Sequence, residues 1–299
     1  MTAPVLILAG PTASGKSDAG LALARRVGGE VVNADSMQVY AALPTLTARP
    51  QVPPDVPHHL YGHVDAHARY SVGRYLGEAR SVIASVRGRG HAPILVGGTG
   101  LYLRVVTEGL SAVPEVSAGA ERVAAARYDA DPAAARAALL TEDPEAARLE
   151  PGDRQRHVRR MAVLAATGRP LPAWQADRLG AVPGPVRACV LCPPREALYA
   201  RIDARAAEVF GEATEEVRAL MTDGLPEGPL GRALGVAPIA AMLRGALGRD
   251  EALARMRTDT RRYAKRQMTW LRNQTDWPWF ETGEAAARYL SDGATVSSA

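Results

Sequence analysis

At 299 residues the chain is long enough for one large domain or two modest ones. With 47% hydrophobic and 23% charged residues it has the material for a packed core, which excludes a mainly disordered protein. Two cysteines exclude a disulfide scaffold, and a net charge of +4 decides little alone.

The longest apolar runs, such as Pro4–Ala9 and Pro93–Val96, fall far short of the roughly 20 residues that span a bilayer. The start, Met1 to Gly10, lacks the basic stretch and cleavage site of a signal peptide. A cytoplasmic chain with no membrane partner is expected.

The first third alternates strand and helix. Val5–Ala9 is a continuous apolar run, the pattern of a parallel strand buried on both faces. After a Gly-rich turn the spacing predicts a helix from Lys16 to Val27. Glu30–Asn33 reads as a second short strand ending at Asp35. Val72, Tyr75, Leu76, Ala79, Ile83 and Val86 recur at helical spacing, with Ser71 placed to cap them. Pro93–Val96 is a third strand, stopped by Gly97 and Gly98.

Beyond Pro114 the β-branched runs disappear. Alanine-rich helical stretches alternate with breaks at Asp131-Pro132 and Asp143-Pro144. Arg154–Thr167 reads as a basic helix capped by Asp153 and stopped by Gly168. Its apolar stripe is Val158, Met161, Ala162, Leu164 and Ala165. The Pro170–Pro185 tract reads as a linker. Arg187–Leu191 then returns to strand character and Arg195–Phe210 to helix, and the tail Asp292–Ala299 reads as frayed.

Gly10, Pro11, Thr12, Ala13, Ser14, Gly15, Lys16 and Ser17 fit G-x-x-x-x-G-K-[ST], directly after a strand and before a helix, which is the context the motif requires. Glycines let backbone amides turn toward phosphate oxygens, and the helix N-terminus adds positive potential. Lys16 supplies a mobile charge and Ser17 a ligand for Mg²⁺. The motif points to polyphosphate binding, a nucleotide such as ATP included, and does not say which polyphosphate. Together with the βαβ rhythm it predicts an α/β fold: a P-loop NTPase-like parallel sheet with helices on both faces. Residues 1–113 and 186–299 form that core, and 114–185 form an all-helical insertion.

A motor-type ATPase usually ends another strand in an acid that holds the metal shell, yet Ile94-Leu95-Val96 ends in Gly-Gly-Thr. The available carboxylate is Asp35, at the carboxyl end of the second strand, the edge that faces a phosphate site in such sheets. An acid there could bind metal, act as a base on an acceptor, or merely cap a turn. The arrangement favours a small-molecule or nucleoside kinase, or another group transferase, over a translocating ATPase.

Among 36 Lys+Arg, only Lys16 and Lys265 are lysine. Where lysine persists in so arginine-rich a chain, a compact ammonium is a candidate requirement. Arg255–Asn273 carries seven cations, Arg261, Lys265 and Arg266 among them, against Asp259, a local charge of +6 beside Tyr263 and Trp270. Such a helix suits backbone phosphates and unstacked bases, and a second basic helix at Arg154–Arg160 strengthens that reading over a merely solvated face. RNA is favoured over duplex DNA because no groove reader is visible. Cys189 and Cys192 form a lone C-x-x-C on a strand, too few for a four-ligand zinc site, and read as core residues. Pro53, Pro54, Pro57 and Gly62 make a helical metal site from His59, His63 and His67 the weaker reading.

Several segments together resemble the tRNA dimethylallyltransferase (tRNA isopentenyltransferase) family. They are Gly10–Ser17, Asp35-Ser36-Met37-Gln38-Val39-Tyr40, His58-His59-Leu60, Tyr70-Ser71-Val72, Val96–Tyr102, Asp153–Arg156 and Thr260–Trp270, in order across nearly the whole chain. The resemblance implies that the cradle holds dimethylallyl diphosphate, with Lys16, Ser17 and Mg²⁺ neutralising the leaving group and Ser17 and Asp35 as metal ligands. It implies that Asp35 takes a proton from the exocyclic amine of the adenosine immediately 3′ of the anticodon. Thr99 would contact that nucleotide, Gln38 would read the base, and Ser36 and Met37 would lie against the tRNA. Arg201 would reach the diphosphate, with Arg205 the second candidate. The helical insertion would grip the anticodon stem-loop through Gln155, Arg156, His157, Val158 and Arg159. Arg261, Lys265 and Arg266 would add phosphate contacts, and the enzyme is expected to be a monomer.

Two stretches depart from the family pattern. Where the family shows Gly-x-Asp-Ile-Gly-Thr-Ala-Lys-Pro this chain reads Ala42–Pro50, and an Ile-Gly-Tyr-Lys-Glu stretch appears as Leu234–Pro238. A small-molecule or nucleoside kinase using ATP in the same cradle is the alternative function. A non-catalytic RNA-binding protein with a vestigial cradle is a third.

Overall fold

The computed structural model describes residues 3–114, 116–175, 178–222 and 224–292, so the fraying expected of residues 293–299 lies outside the described residues. Unbroken apolar character makes the central strand, β1 (Val5–Ala9), whose five residues are all fully buried. After the Gly-rich loop, α1 (Lys16–Val27) buries Ala19, Leu23 and Ala24 against the sheet and ends at Gly28. β2 (Gly29–Asn33), β3 (His58–His59), α2 (Val72–Gly88), β4 (Ala92–Gly97) and α3 (Gly100–Glu108) follow. Ser71 caps α2 as expected, its Oγ accepting from the Arg74 amide at 3.1 Å.

Then come β5 (Leu110–Ser111), α4 (Ala118–Ala130), α5 (Pro132–Glu142), α6 (Arg154–Thr167), α7 (Leu171–Gln175) and β6 (Arg178–Leu179). Asp131 ends α4 and caps α5 through the Ala134 amide. Asp153 and Gly168 bound α6 as the sequence predicts. A small core of Ala124, Tyr128, Leu139, Met161 and Ala162 holds α4, α5 and α6 together. The chain resumes with β7 (Val186–Leu191), α8 (Arg195–Thr222), α9 (Val236–Leu243), α10 (Arg249–Gln274), β8 (Trp279–Phe280) and α11 (Gly283–Ser291).

The main sheet has the order β3-β2-β4-β1-β7-β8, with every pairing parallel. Leu6 stands opposite Ile94 on one side of β1 and Arg187 on the other. All six strands therefore point their carboxyl ends to one edge, where an open sheet of this type binds its ligands.

The chain divides into two units, Met1–Thr107 with Val182–Ala299, and Glu108–Ala181. The sequence pattern sets the second unit at 114–185. The antiparallel pair β5–β6, Leu110 with Leu179 and Ser111 with Arg178, shifts both margins. Strands of two residues carry no periodicity, which is also why the 170–185 tract reads as a linker while holding α7 and β6. The helix expected to stop at Phe210 runs on to Thr222 because Val217 and Leu220 continue its buried face past Gly211.

Candidate active site

The loop after β1 turns through left-handed backbone at Ala13 (φ 63°) and Gly15 (φ 87°), so that α1 begins with no side-chain cap. Its first amides therefore face outward as free donors at the positive end of the helix dipole, an anion site by construction. Ser14 is buried and its Oγ has no hydrogen-bond partner. A buried hydroxyl without a partner at this place fits a ligand rich in oxygen acceptors.

Lys16 lies within the loop, its Nζ donating to the Pro11 carbonyl at 3.2 Å. Burial pulls its ammonium below the ordinary lysine value, Asp35 opposes that pull and Arg205 reinforces it. Burial likewise lowers Arg205, again against the attraction of Asp35. Two cations thus converge on one carboxylate. Arg201, expected to reach the diphosphate, is exposed and donates from Nη1 to the Ser14 carbonyl at 3.2 Å, which holds it against the loop. Arg205, one helical turn on, lines the cavity instead.

The carboxyl end of β2 supplies the other wall. Asn33 accepts from the Asp35 amide at 2.8 Å and donates to the Asp35 and Leu60 carbonyls, both at 3.0 Å. Asp35 Oδ1 in turn accepts from the Met37 amide at 2.9 Å, so the turn role is real, and the carboxylate keeps its second oxygen for other work. Thr99 Oγ1 accepts from the Ser36 amide at 2.9 Å, and Tyr263 lies close enough to Thr99 to be influenced by it. Gln38, nearly buried, donates from Nε2 to the Thr47 and Ala48 carbonyls at 3.0 and 2.9 Å. Only its carbonyl oxygen remains for a base.

Between these walls lies a cavity of about 270 Å³, lined by Thr12, Asp35, Arg205 and Arg232 and by the apolar Leu46, Leu234 and Met256. Its lining therefore mixes charged and apolar side chains. Ser17 Oγ has no protein partner among the described residues, so Ser17 and Asp35 present the hard oxygen donors that Mg²⁺ takes.

α10 closes the site. Tyr263 and Arg266 line the cavity, the Arg266 guanidinium lies 5.5 Å from the centre of the Tyr263 ring, and the Trp270 ring lies directly over Gly100. Lys265 is exposed with no ion-pair partner among the described residues. Arg261 differs from its neighbours, for its Nε pairs with Asp203 of α8 at 3.2 Å.

In the second unit Gln155 and Arg156 are exposed, and Arg159 pairs with Glu121 at 3.4 Å. His157, expected at the tRNA, is instead fully buried: Nδ1 donates to the Asp153 carbonyl at 2.8 Å and the ring stacks on Tyr128. Val158 packs half-buried against the same core. Both lie on the inward face of α6, which helical spacing around Met161 dictates. Ala165, placed on the apolar stripe, is exposed.

The discounted motifs belong to the fold. Cys189 is buried, its thiol pushed up to about 12 by burial, and Cys192 touches Met268. His59 bonds Glu30 at 2.6 Å and His63 bonds Glu78 at 2.8 Å.

A family model described as IPP transferase matches residues 38–274, and one described as isopentenyl transferase matches residues 3–54. The chain belongs to the IPP transferase family. It is 48% identical to a tRNA dimethylallyltransferase of Maricaulis maris over 97% of both chains, and 49% identical to one of a Caulobacter species over 93% of both. Its fold matches the tRNA isopentenylpyrophosphate transferase of Bacillus halodurans with a TM-score of 0.66 and 28% identity, covering 98% of each chain. It also matches a eukaryotic dimethylallyltransferase described as acting on tRNA, with a TM-score of 0.77 and 26% identity over 90% of this chain and 70% of that one.

In this IPP transferase the two departing stretches meet at the cavity. The Ala42–Pro50 loop is held by Glu216 of α8, whose carboxylate accepts from the Thr45 and Leu46 amides at 2.7 and 2.9 Å. Leu46 and Leu234 from the two stretches both line the cavity. The sequence gives no sign of Glu216, which acts on residues 170 positions away. It also passes over Gln267, which accepts from the Thr12 amide at 2.9 Å. The available signal was its place in Tyr263–Gln267, where helical spacing puts it on the same face as Tyr263 and Trp270.

Proposed function

We propose that this IPP transferase moves a dimethylallyl group from dimethylallyl diphosphate to the exocyclic amine of the adenosine immediately 3′ of the anticodon in tRNA. The observation that carries the reading is the shared cavity: Thr12 and Ala13 of an uncapped phosphate loop and the Asp35 carboxylate line one space together with apolar Leu46, Leu234 and Met256. The adenine nitrogen bonds the allylic carbon as the carbon–oxygen bond to diphosphate breaks. The amine proton goes to Asp35, and the bonding electron pair leaves on the diphosphate, where Lys16, Arg205 and the loop amides meet the growing charge. Thr99 and Ser36 position the acceptor side, and Gln38 offers one oxygen to the base. Mg²⁺ held by Ser17 and Asp35 would supply further neutralisation of the diphosphate. The target base must leave its stack to enter the cavity. Gln155, Arg156, Arg159, Lys265 and Arg266 would carry the tRNA contacts.

The relatives named as tRNA dimethylallyltransferases favour this reading over a kinase. Among the described residues no helix is long and apolar enough to cross a membrane; we propose a cytoplasmic monomer acting on tRNA. The deciding assay supplies unmodified tRNA with labelled dimethylallyl diphosphate, and separately ATP with candidate alcohols. Label is expected in the tRNA. Phosphoryl transfer to an alcohol with unlabelled tRNA would reinstate the kinase.

Arg266 and Arg261 should part company in tRNA binding. Arg266→Ala weakens it and flattens the log–log salt dependence by about 0.7 to 0.9 unit, the value of one lost phosphate contact. Arg261→Ala leaves that slope nearly unchanged, because Asp203 already holds the side chain. Filter-binding titrations across salt concentrations check both, and equal slope changes would make Arg261 a phosphate contact as well.

A further inference from the structure

We propose that Gln267 is a positioning residue that fixes the span between the phosphate cradle and the acceptor site; the inference rests on the prenyl-transfer reading. Its Oε1 accepts from the Thr12 amide of the cradle at 2.9 Å, and its Nε2 donates to the Gly98 carbonyl beside Thr99 at 3.0 Å. The side chain is 5% exposed. Among the described residues no other side chain bonds both loops.

The chemistry of the two partners selects an amide. Thr12 presents a donor and Gly98 an acceptor, so the bridging group must accept on one side and donate on the other. An ionised carboxylate accepts on both and would face the Gly98 carbonyl with negative charge. The space is equally specific. A side-chain carbon on Gly98 would collide with Gln267 and lie 2.6 Å from the Gly10 carbonyl.

The bridge has consequences on both sides. Gly98 leads into Thr99, whose hydroxyl fixes Ser36 beside Asp35. Thr12 lines the cavity that Asp35 also lines. Leaving-group cradle and proton acceptor are thus tied through one side chain. The same helix face carries Tyr263 one turn before it, beside Thr99, and Trp270 after it, against Gly100. Gln267 is not among the residues that line the cavity. It acts through the Thr12 amide and the Gly98–Thr99 backbone.

Two variants test this. Gln267→Met keeps length and removes both bonds. It should lower kcat/KM for dimethylallyl diphosphate by about 10²-fold, as misplacement of reacting groups does, while the Kd for tRNA stays within about twofold. Gln267→Glu supplies the decisive arm, because a protonated carboxyl reproduces the amide's donor and acceptor and an ionised one does not. Burial raises the pKa of such a group. The ratio of Gln267→Glu to native kcat/KM should therefore rise by about tenfold or more from pH 8.5 to pH 6, a change that a space-filling role would not produce.

A flat ratio across that range overturns the proposal, as does a Gln267→Met variant with native kcat/KM, or one that loses tRNA affinity in parallel. If the native protein transfers no prenyl group, the functional reading fails instead. The bridge is then judged by inorganic diphosphate, which the native protein should bind about tenfold or more tightly than Gln267→Met, and equal binding overturns it.

Discussion

Asp35→Asn is expected to cut prenyl transfer by about 10² to 10⁴, the usual worth of a positioned base, while leaving tRNA binding within about twofold. The substitution separates the two roles the structure gives this residue. Asparagine keeps an oxygen for the Met37 amide, and the bonds from Asn33 go to the Asp35 backbone, so the turn survives. What it cannot do is accept the proton that the adenine amine must release. Single-turnover transfer to unmodified tRNA gives the rate, and direct titration gives the affinity. Asp35→Ala removes the turn bond as well and serves as the harsher control. A deletion strain complemented with Asp35→Asn should lack the tRNA modification. Normal modification in that strain would reduce the carboxylate to its turn and favour the non-catalytic RNA-binding protein.

What the sequence makes legible is what neighbouring residues decide. The phosphate loop, the Ser71 cap and the Asp153 and Gly168 bounds of α6 depend on backbone amides a few positions away, and each sits where the pattern puts it. What it conceals depends on distant partners. β3 and β8 are two-residue strands created by pairing with β2 and β7. His157 reads as one more polar group on a basic helix, yet Tyr128 of α4 makes its environment. Arg201 and Arg205 are indistinguishable by spacing, four residues apart on α8, but one meets the Ser14 carbonyl of the loop and the other the cavity. Gln267 stands inside a motif the eye takes as cationic, and its partner Thr12 lies 255 positions away.

Lys16 should be as costly to lose as Asp35, for the opposite electrostatic reason. Lys16→Ala is expected to lower kcat/KM for dimethylallyl diphosphate by about 10² to 10³, the range for removing one donor to developing negative charge. Lys16→Arg should not rescue it. In a chain where arginine has otherwise displaced lysine everywhere but here and at Lys265, the loop encloses a compact ammonium 3.2 Å from the Pro11 carbonyl, and a planar fork does not fit that geometry.

The pH behaviour follows from the same burial. The ammonium is held below the ordinary lysine value, so between that lowered value and 10.5 the unfolded chain binds more protons and the stability of the free protein rises with pH. Activity that needs the ammonium falls over the same alkaline range. Lys16→Met therefore leaves the free protein's Tm unchanged or higher while abolishing most of the stabilisation by diphosphate. That stabilisation should reach about 2.7 kcal/mol in the native protein with ligand about 100-fold above Kd. Thermal melts with and without inorganic diphosphate decide the matter. A Lys16→Met variant that keeps the full diphosphate-dependent rise would place the leaving group outside the loop.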